Sequence, residues 1–536
     1  MKHIYILVSV LVAQTTFAQL KINIKSLGAV GDSVTLNTTI IQKAIDSCTN
    51  NGGGEVIVAD GIYLTSTIRL KSNVTLRINA DATLLAPATN NAYPDIAYNT
   101  PSWSDTYTKK SLIFAEGASN IRITGAGTIK CRGLNFGYLS TTKNLRPFGV
   151  RIHDCNNVKI DSVKFETCPQ WMLHLMDCNG VHIHHLNIYN HGLGSNDGIN
   201  IDGGSNVLIE DCNIDSNDDP IVIKTHSEVP CQNVLVQNCT IATFERAVKV
   251  GNESLGLMKN ITFRNIVVNK SAFNINFLPQ TGIYLAVADG GAADSIVFDN
   301  IKFNTPYQTP IFVRLCKRNL DYRPNPPAKP VQYLRNVIIK NVLAESGSTI
   351  PCSITGIPGY QVENILLENI TIKAPGGGKL YNITLPERET QRPENDIWGD
   401  SLPAYGMYVR HAKNITFNCF VVNNDSADAR PKYYFEDTAS IKALNENCTA
   451  YNSIFEAQPS ALDAIVKQIG TQLFVENNSG QALQISIADV SGRFVAETTH
   501  PQSDGLIELK NLPSVRGIYF IEMRNATSLK VVKWFR

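Results

Sequence analysis

The chain has 536 residues, 43% of them hydrophobic, which is more than one ordinary compact domain holds unless the chain is a repetitive solenoid. Basic and acidic residues number 48 and 47, a balance that argues against nucleic acid or an anionic membrane surface as partner. An acidic ligand would have to be met by local basic groups, because there is no global field to attract it.

Met1-Lys2-His3 followed by the apolar run Ile4 to Val12 is a short basic start and a hydrophobic segment too brief to span a bilayer. Thr16-Phe17-Ala18 supplies a small-residue cleavage site before Gln19, so residues 1–18 read as a signal peptide and the chain as exported. A buried N-terminal strand is the alternative. Next, Asn37 to Ile45 reads as an amphipathic helix with a polar N-cap, placed before Gly52-Gly53-Gly54 where a solenoid needs a cap over its apolar end.

A motif Asn-(Val/Ile)-x-(Ile/Leu/Phe/Val) then recurs from Asn73, Asn120, Asn157, Asn206, Asn233, Asn260, Asn336, Asn364 and Asn414, with weaker copies at Gly180 and Ser295. Asn206, Asn233 and Asn260 are spaced by 27 residues, and Asn336 to Asn364 by 28. A fixed period in this range signals a solenoid. Each copy is a short alternating β segment with no helical stretch before the next, which excludes leucine-rich and helical repeats. The fold predicted is all-β: a right-handed parallel β-helix over residues 19–455, with asparagine side chains laddered along its turns. Cys155, Cys178, Cys212 and Cys239 recur in similar contexts and read as stacked, buried thiols. No CxxC pair suggests zinc. His182, His184 and His185 have ligand-like spacing, but alternation sends His185 to the opposite face and no carboxylate or cysteine motif completes a site, so neither metal nor cofactor is expected.

The densest acidic cluster lies in mid-helix: Asn196-Asp197-Gly198, Asp202, Asp211, Asp215 and Asn217-Asp218-Asp219-Pro220. Asp197 and Asp218 are 21 residues apart, somewhat less than one coil, so a tight turn would stack them on neighbouring coils. Glycoside hydrolysis needs one protonated and one ionised carboxyl at the scissile bond, and crowding carboxylates helps hold a proton on one of them. Asp218 and Asp219 would both face a substrate only at a bend, since neighbours in a strand point opposite ways. Asp-Gly and Asn-Asp are also common turn formers, and several carboxylates can wrap calcium, so the residues alone leave three readings open.

The segment SNDGINIDGGSNVLIEDCNIDSNDDPIVIKT, residues 195–225, resembles the active-site region of the pectin-degrading polygalacturonases of glycoside hydrolase family 28. LGAVGDSVTLNTTIIQKAI and RLKSNVTLRINADATLLA are similar to that family too, so the likeness runs over roughly residues 26–440. The resemblance implies an inverting hydrolase of α-linked galacturonic acid bonds in pectin, of polygalacturonase or rhamnogalacturonan type, with Asp218 as general acid and Asp197 and Asp219 activating water. It also implies basic groups for galacturonate carboxylates, assigned to Lys224, Arg246, Lys249 and Arg314, with Asp202 as a further substrate-binding residue. The sequence departs from the family where Arg246 stands in place of the Gly-His-Gly histidine. No Arg-Ile-Lys motif occurs near Gly282 to Ala286, and the first motif reads Ser-Asn-Asp. Ala247 to Ser254 instead resembles a bacterial branch of the family. A polysaccharide lyase on the same fold and a non-catalytic carbohydrate-binding β-helix are the rival functions.

Farther along, the segments 317–331 and 386–403 interrupt the period and are expected to open or close the cleft. Tyr405 and Tyr408 are aromatic residues fit either to stack on sugar rings or to pack internally. The asparagine repeat stops near residue 455. After a linker over 456–470, residues 471–536 alternate as short strands (LFVEN, LQISIADV, LIELKNL, GIYFIEM, LKVVKWF), predicting a small antiparallel β-sandwich that could serve as a spacer or carbohydrate-binding module. Its end, Gly517 to Phe520 and Lys530 to Lys533, is similar to the C-terminal sorting domains of type IX secretion. That likeness implies the type IX machinery as partner and release from, or attachment to, the outer surface of a Gram-negative bacterium. The chain is expected to act as a monomer on an acidic polysaccharide.

Overall fold

The computed structural model describes residues 20–97, 108–136, 146–273, 277–319, 329–448 and, in the C-terminal part, Leu509 and the strands between Ala464 and Phe535. The signal peptide expected over residues 1–18 lies outside the described residues, as does 320–328 within the interruption at 317–331.

Thirty-one strands form one continuous, parallel-paired sheet wound as a right-handed parallel β-helix. The motif explains the winding residue by residue. Its two apolar positions stack coil upon coil: Val158 lies beside Val181, then Val207, Val234 and Ile261, while Ile160 lies beside Ile183, Ile209, Val236 and Phe263. All ten are at most 2% exposed. Each fully buried aliphatic side chain contributes about 1.5–3 kcal/mol, so the interior columns dominate the cohesion of the stack.

The asparagine at the head of the motif has two jobs. Asn73, Asn120, Asn157, Asn206, Asn233, Asn260, Asn336, Asn364 and Asn414 all adopt left-handed backbone with φ between 53° and 62°. Asparagine tolerates that region far better than most side chains. The weaker copies obey the same geometry, Gly180 at φ 72° and Ser295 at φ 60°. The amides also ladder, as in Asn157 donating to Asn120 (2.7 Å), Asn120 to Asn73 (2.8 Å) and Asn364 to Asn336 (3.0 Å).

At the N-terminal end the helix Thr38–Asn50 buries Ile41, Ala44, Ile45 and Cys48 and packs on the strand Gly54–Val58. Asn37 occupies its N-cap position but does not cap it. Its side chain turns back to accept from Val30 N and to donate to the carbonyls of Val30 and Thr35, so the expected polar cap is a loop clamp instead. Cys155, Cys178, Cys212 and Cys239 are buried, unpaired thiols, whereas Cys419 and Cys448 are joined by a disulfide across the last coil.

The C-terminal part forms two antiparallel sheets, one of three strands and one of four. The strand Ala464–Ile469 falls inside the segment read as a linker, and Phe494–His500 adds a strand absent from the sequence reading. Ala464-Ile465-Val466 is an unbroken apolar run and Phe494-Val495-Ala496 is followed by four polar residues, so neither strand shows period-two alternation.

Candidate active site

One ladder of the β-helix carries the site. It runs through the strands Leu173–Met176, Ile199–Asp202, Ile221–Thr225, Arg246–Ser254, Thr281–Val287 and Thr309–Leu315, each paired to the next. Over these coils lies a cleft of about 540 Å³ whose lining includes Trp171, Ser195, Asp197, Asp218, Asp219, Lys224, Glu245, Arg246, Lys249, Glu253, Arg318 and Glu394.

The carboxylates meet for a simple reason of register. Ile199 pairs with Ile221, so Asp197 and Asp219, each two residues earlier, enter the cleft one above the other. Backbone bonds fasten the two turns, Gly198 N to Asp219 O at 3.0 Å and Asp218 N to Asn196 O at 3.4 Å. The coil here is 22 residues long, which accommodates the short spacing noted in the sequence. Asn217 to Pro220 lies outside any strand, so the chain bends there and both aspartates of the pair reach the cleft. Asp219 N donates to Asp218 Oδ1 at 3.0 Å, and the hydroxyls of Ser216 and Thr243 fix the Asp218 carbonyl.

Two buried lysines serve two of the three carboxylates. Lys249 donates to Asp219, and Lys224 Nζ stands 4.0 Å from Asp197 Oδ2 while lying 3.6 Å above the Trp171 ring. Asp218 is only half-buried, and among the described residues no lysine or arginine lies within 4.0 Å of it. Burial, then repulsion from Asp218, pushes the Asp197 carboxyl well above its ordinary range despite Lys224. Burial also raises Asp219, with Lys249 opposing. Raised in this way, the Asp197 and Asp219 carboxyls hold protons more tightly than isolated carboxyls do. Asp219 Oδ1 is buried without a hydrogen-bond partner among the described residues, an acceptor facing the reaction space.

Neighbouring carboxylates divide in the opposite sense. Glu253 would be raised by burial, but Lys224, Lys249 and Arg318 outweigh that and hold it well below its usual range. Glu245 is pushed up to about 8, by burial first and then by Asp218.

The structure thus brings Asp197, Asp218, Asp219, Lys224, Arg246 and Lys249 together, and it corrects the other two assignments. Asp202 is fully buried below the cleft, bonded to His174 Nε2 at 2.9 Å and His226 Nδ1 at 2.6 Å. Those rings, His226 foremost, hold its carboxyl well below its usual range against the effect of burial. Arg314 is likewise fully buried, with its guanidinium on the carbonyls of Glu387 and Arg388 and under the ring of Trp398. Arg246 does line the cleft, but it is held by Glu245 (2.5 Å) and by Glu394, so its charge is compensated within the protein. Tyr408 is fully buried and donates to Glu436 Oε2, which makes it core and not a sugar platform. His185 meets His184 at 2.8 Å instead of facing away, because its left-handed backbone (φ 55°) breaks the alternation, and His182 pairs with Glu210.

Trp171, Glu245, Glu253, Gln280, Gln308, Arg318, Arg392, Glu394 and Asp396 also line the cleft and were not identified from the sequence. Glu253 lies within the Ala247–Ser254 segment and Glu245 two residues before it, so position in and beside that segment was a usable signal. Arg392, Glu394 and Asp396 come from the interruption at 386–403, where no period indicates what lies near what.

The chain matches the family model described as Glycosyl hydrolases family 28 over residues 48–390. A probable polygalacturonase of Vitis vinifera is 27% identical over 371 residues, covering 64% of this chain and 72% of that protein. Among solved structures, an exopolygalacturonase of Thermotoga maritima superposes with a TM-score of 0.59 at 20% identity, covering 76% of this chain and 93% of the other. A family 28 exopolygalacturonase of Yersinia enterocolitica gives 0.61 at 19% identity over 81% and 79% of the two chains.

Proposed function

The chain belongs to glycosyl hydrolases family 28, and from that premise we propose that it hydrolyses α-linked galacturonic acid bonds in a pectin-type polysaccharide, with inversion. The observation that carries the reading is the Asp197, Asp218 and Asp219 trio stacked on neighbouring coils, with lysines on two of its three members. The cations beside Asp197 and Asp219 oppose, without outweighing, the burial that raises both carboxyls, and they are the groups that would stabilise the pair when it ionises to activate water. Asp218 lacks such a partner and is the most exposed, which suits the acid that protonates the leaving oxygen. Lys224 and Lys249 lie close enough to serve a substrate carboxylate as well. The name of the plant relative, a probable polygalacturonase, agrees with this substrate class. The same proposal includes export through the leader, a C-terminal sandwich acting as a type IX sorting domain, and action as a monomer.

Asp218→Asn removes the proton donor while keeping its shape. Loss of a general acid costs roughly 10²–10⁴-fold in rate, with binding of oligogalacturonides retained. Reducing-sugar release should be assayed on homogalacturonan, rhamnogalacturonan and short galacturonides side by side. Release by Asp218→Asn at the unaltered rate, or wild-type products that absorb in the ultraviolet as unsaturated uronates, would sink the mechanism.

A further inference from the structure

Residues 375–406 leave the helix after the strand Val362–Ala374 and return at Met407, and the excursion travels backwards over the cleft. It crosses coils that precede it. Arg314 donates to the Arg388 carbonyl at 2.8 Å, and Lys317 N to the Glu389 carbonyl at 2.7 Å. One coil earlier, the Tyr284 hydroxyl donates to the Pro393 carbonyl at 2.6 Å. One coil earlier again, Arg246 binds Glu394. From the other side, Arg410 Nη1 donates to the Leu385 carbonyl at 3.2 Å and its guanidinium pairs with Glu387, while Trp398 Nε1 donates to the Pro386 carbonyl at 2.8 Å. Arg314, Tyr284 and Trp398 are all under a tenth exposed. A segment fastened by buried donors at three successive coils is a fixed strap, because freeing it would leave several buried polar groups without partners.

Its position sets the reach of the cleft. Ile221 pairs with Val248, so Arg246 stands directly above Asp219, one coil farther along. Adjacent strands lie about 4.8 Å apart. The strap, seated on Arg246 through Glu394, therefore stands one strand spacing from the catalytic pair, and beyond it Tyr284 and Thr309 are already covered by Pro393 and Asn395. Beyond Arg246 the lining continues through Gln280 and Gln308, beside Arg392, Glu394 and Asp396 of the strap, so the cleft ends against the strap within two further coils.

We infer that the strap closes one end of the cleft and makes the enzyme act on chain ends, releasing a short product of uniform size, with Arg314 and Arg410 as positioning residues for the strap. The inference rests on the hydrolase reading above and adds its mode of action.

The test follows digestion of long homogalacturonan by the full chain, recording solution viscosity and product sizes from the first few bonds cleaved. The expected result is a single small product from the outset, with viscosity falling far behind reducing-sugar release. Early appearance of a broad oligomer ladder with a prompt viscosity collapse overturns the inference while leaving the hydrolase reading intact. No release from any pectic substrate overturns both. The double variant Tyr284→Phe with Glu394→Gln removes two of the strap's fastenings without touching the aspartate trio. It should shift products towards longer oligomers, whatever its rate. Full retention of the single small product, with proteolysis showing the 386–403 segment newly cleavable, would also overturn it.

Discussion

Replacing Lys249 by methionine isolates the electrostatics of the site from its shape. Lys249 and Asp219 are 5% and 3% exposed, and the amine is bonded to one carboxylate oxygen while the other has no partner within the described protein. Removing one member of a buried ion pair strands the other, at a cost of about 3–5 kcal/mol. Glu253 loses a neighbouring cation as well, though Lys224 remains its largest. Adding Asp219→Asn to the methionine variant removes the stranded charge and should return most of that stability, so the two substitutions are strongly non-additive. The pH dependence has a definite sign. Without its cation, the folded-state pKa of Asp219 rises farther above the unfolded value of about 3.9. The folded protein then binds the extra proton, so the deficit is small in acid, grows as pH rises, and levels off above the new folded pKa. Thermal unfolding of wild type, Lys249→Met and the double variant at about pH 5 and about pH 8 measures this. A deficit that is the same at both pH values, or that Asp219→Asn fails to relieve, would refute the reasoning. On the roles proposed above, activity stays low in both variants, since each disturbs Asp219.

Asn233 tests the ladder: it sits at φ 57° and bonds to Asn206 and Asn260. Asn233→Ala should lose about 1–2 kcal/mol to left-handed backbone strain in addition to the ladder bonds. Asn233→Gly loses the bonds alone, so glycine should unfold at the higher temperature, and the opposite order would count against the backbone explanation. The Cys419–Cys448 disulfide closes a sequence separation of 29 residues, for which chain entropy gives roughly 3–4 kcal/mol. Replacing both cysteines with alanine should raise hydrogen exchange in the strand Tyr433–Leu444 while leaving turnover unchanged; unaltered exchange there would show that the bridge stabilises nothing local.

The β-helix was legible because its period, its core and its turns are written in the same four residues. In Asn157-Val158-Lys159-Ile160 the two aliphatic positions become interior columns and the asparagine takes the left-handed turn, so one motif reports both packing and backbone. The aspartate trio was legible for a related reason: Asp197 and Asp219 lie in consecutive turns of uninterrupted coils, where sequence spacing translates directly into stacking. The histidine alternation failed because His185 sits in a left-handed turn that such counting ignores.

What covers a strand is written elsewhere in the chain, and that is where the basic residues went astray. Arg314 and Arg318 lie four residues apart, yet Arg318 reaches Asp289 and the cleft while Arg314 is sealed beneath Trp398 by a segment more than seventy residues later. Arg246 shows the same effect on charge. Counted along its own strand it is a cation poised for an acidic sugar, but Glu394, 148 residues away, sits on it. A cation's availability depends on every element that packs over it, and interruptions of the period are the elements whose placement the period does not encode. The arginine at the position of the family's histidine is already engaged with two protein carboxylates, and Arg318 is likewise held by Asp289 and Glu253. On the proposed reading, the cations left to meet an acidic sugar are therefore Lys224 and Lys249, those nearest the aspartates. If so, neutralising Glu394 should not weaken substrate binding through lost contacts; it should release Arg246 as an additional anion-binding group.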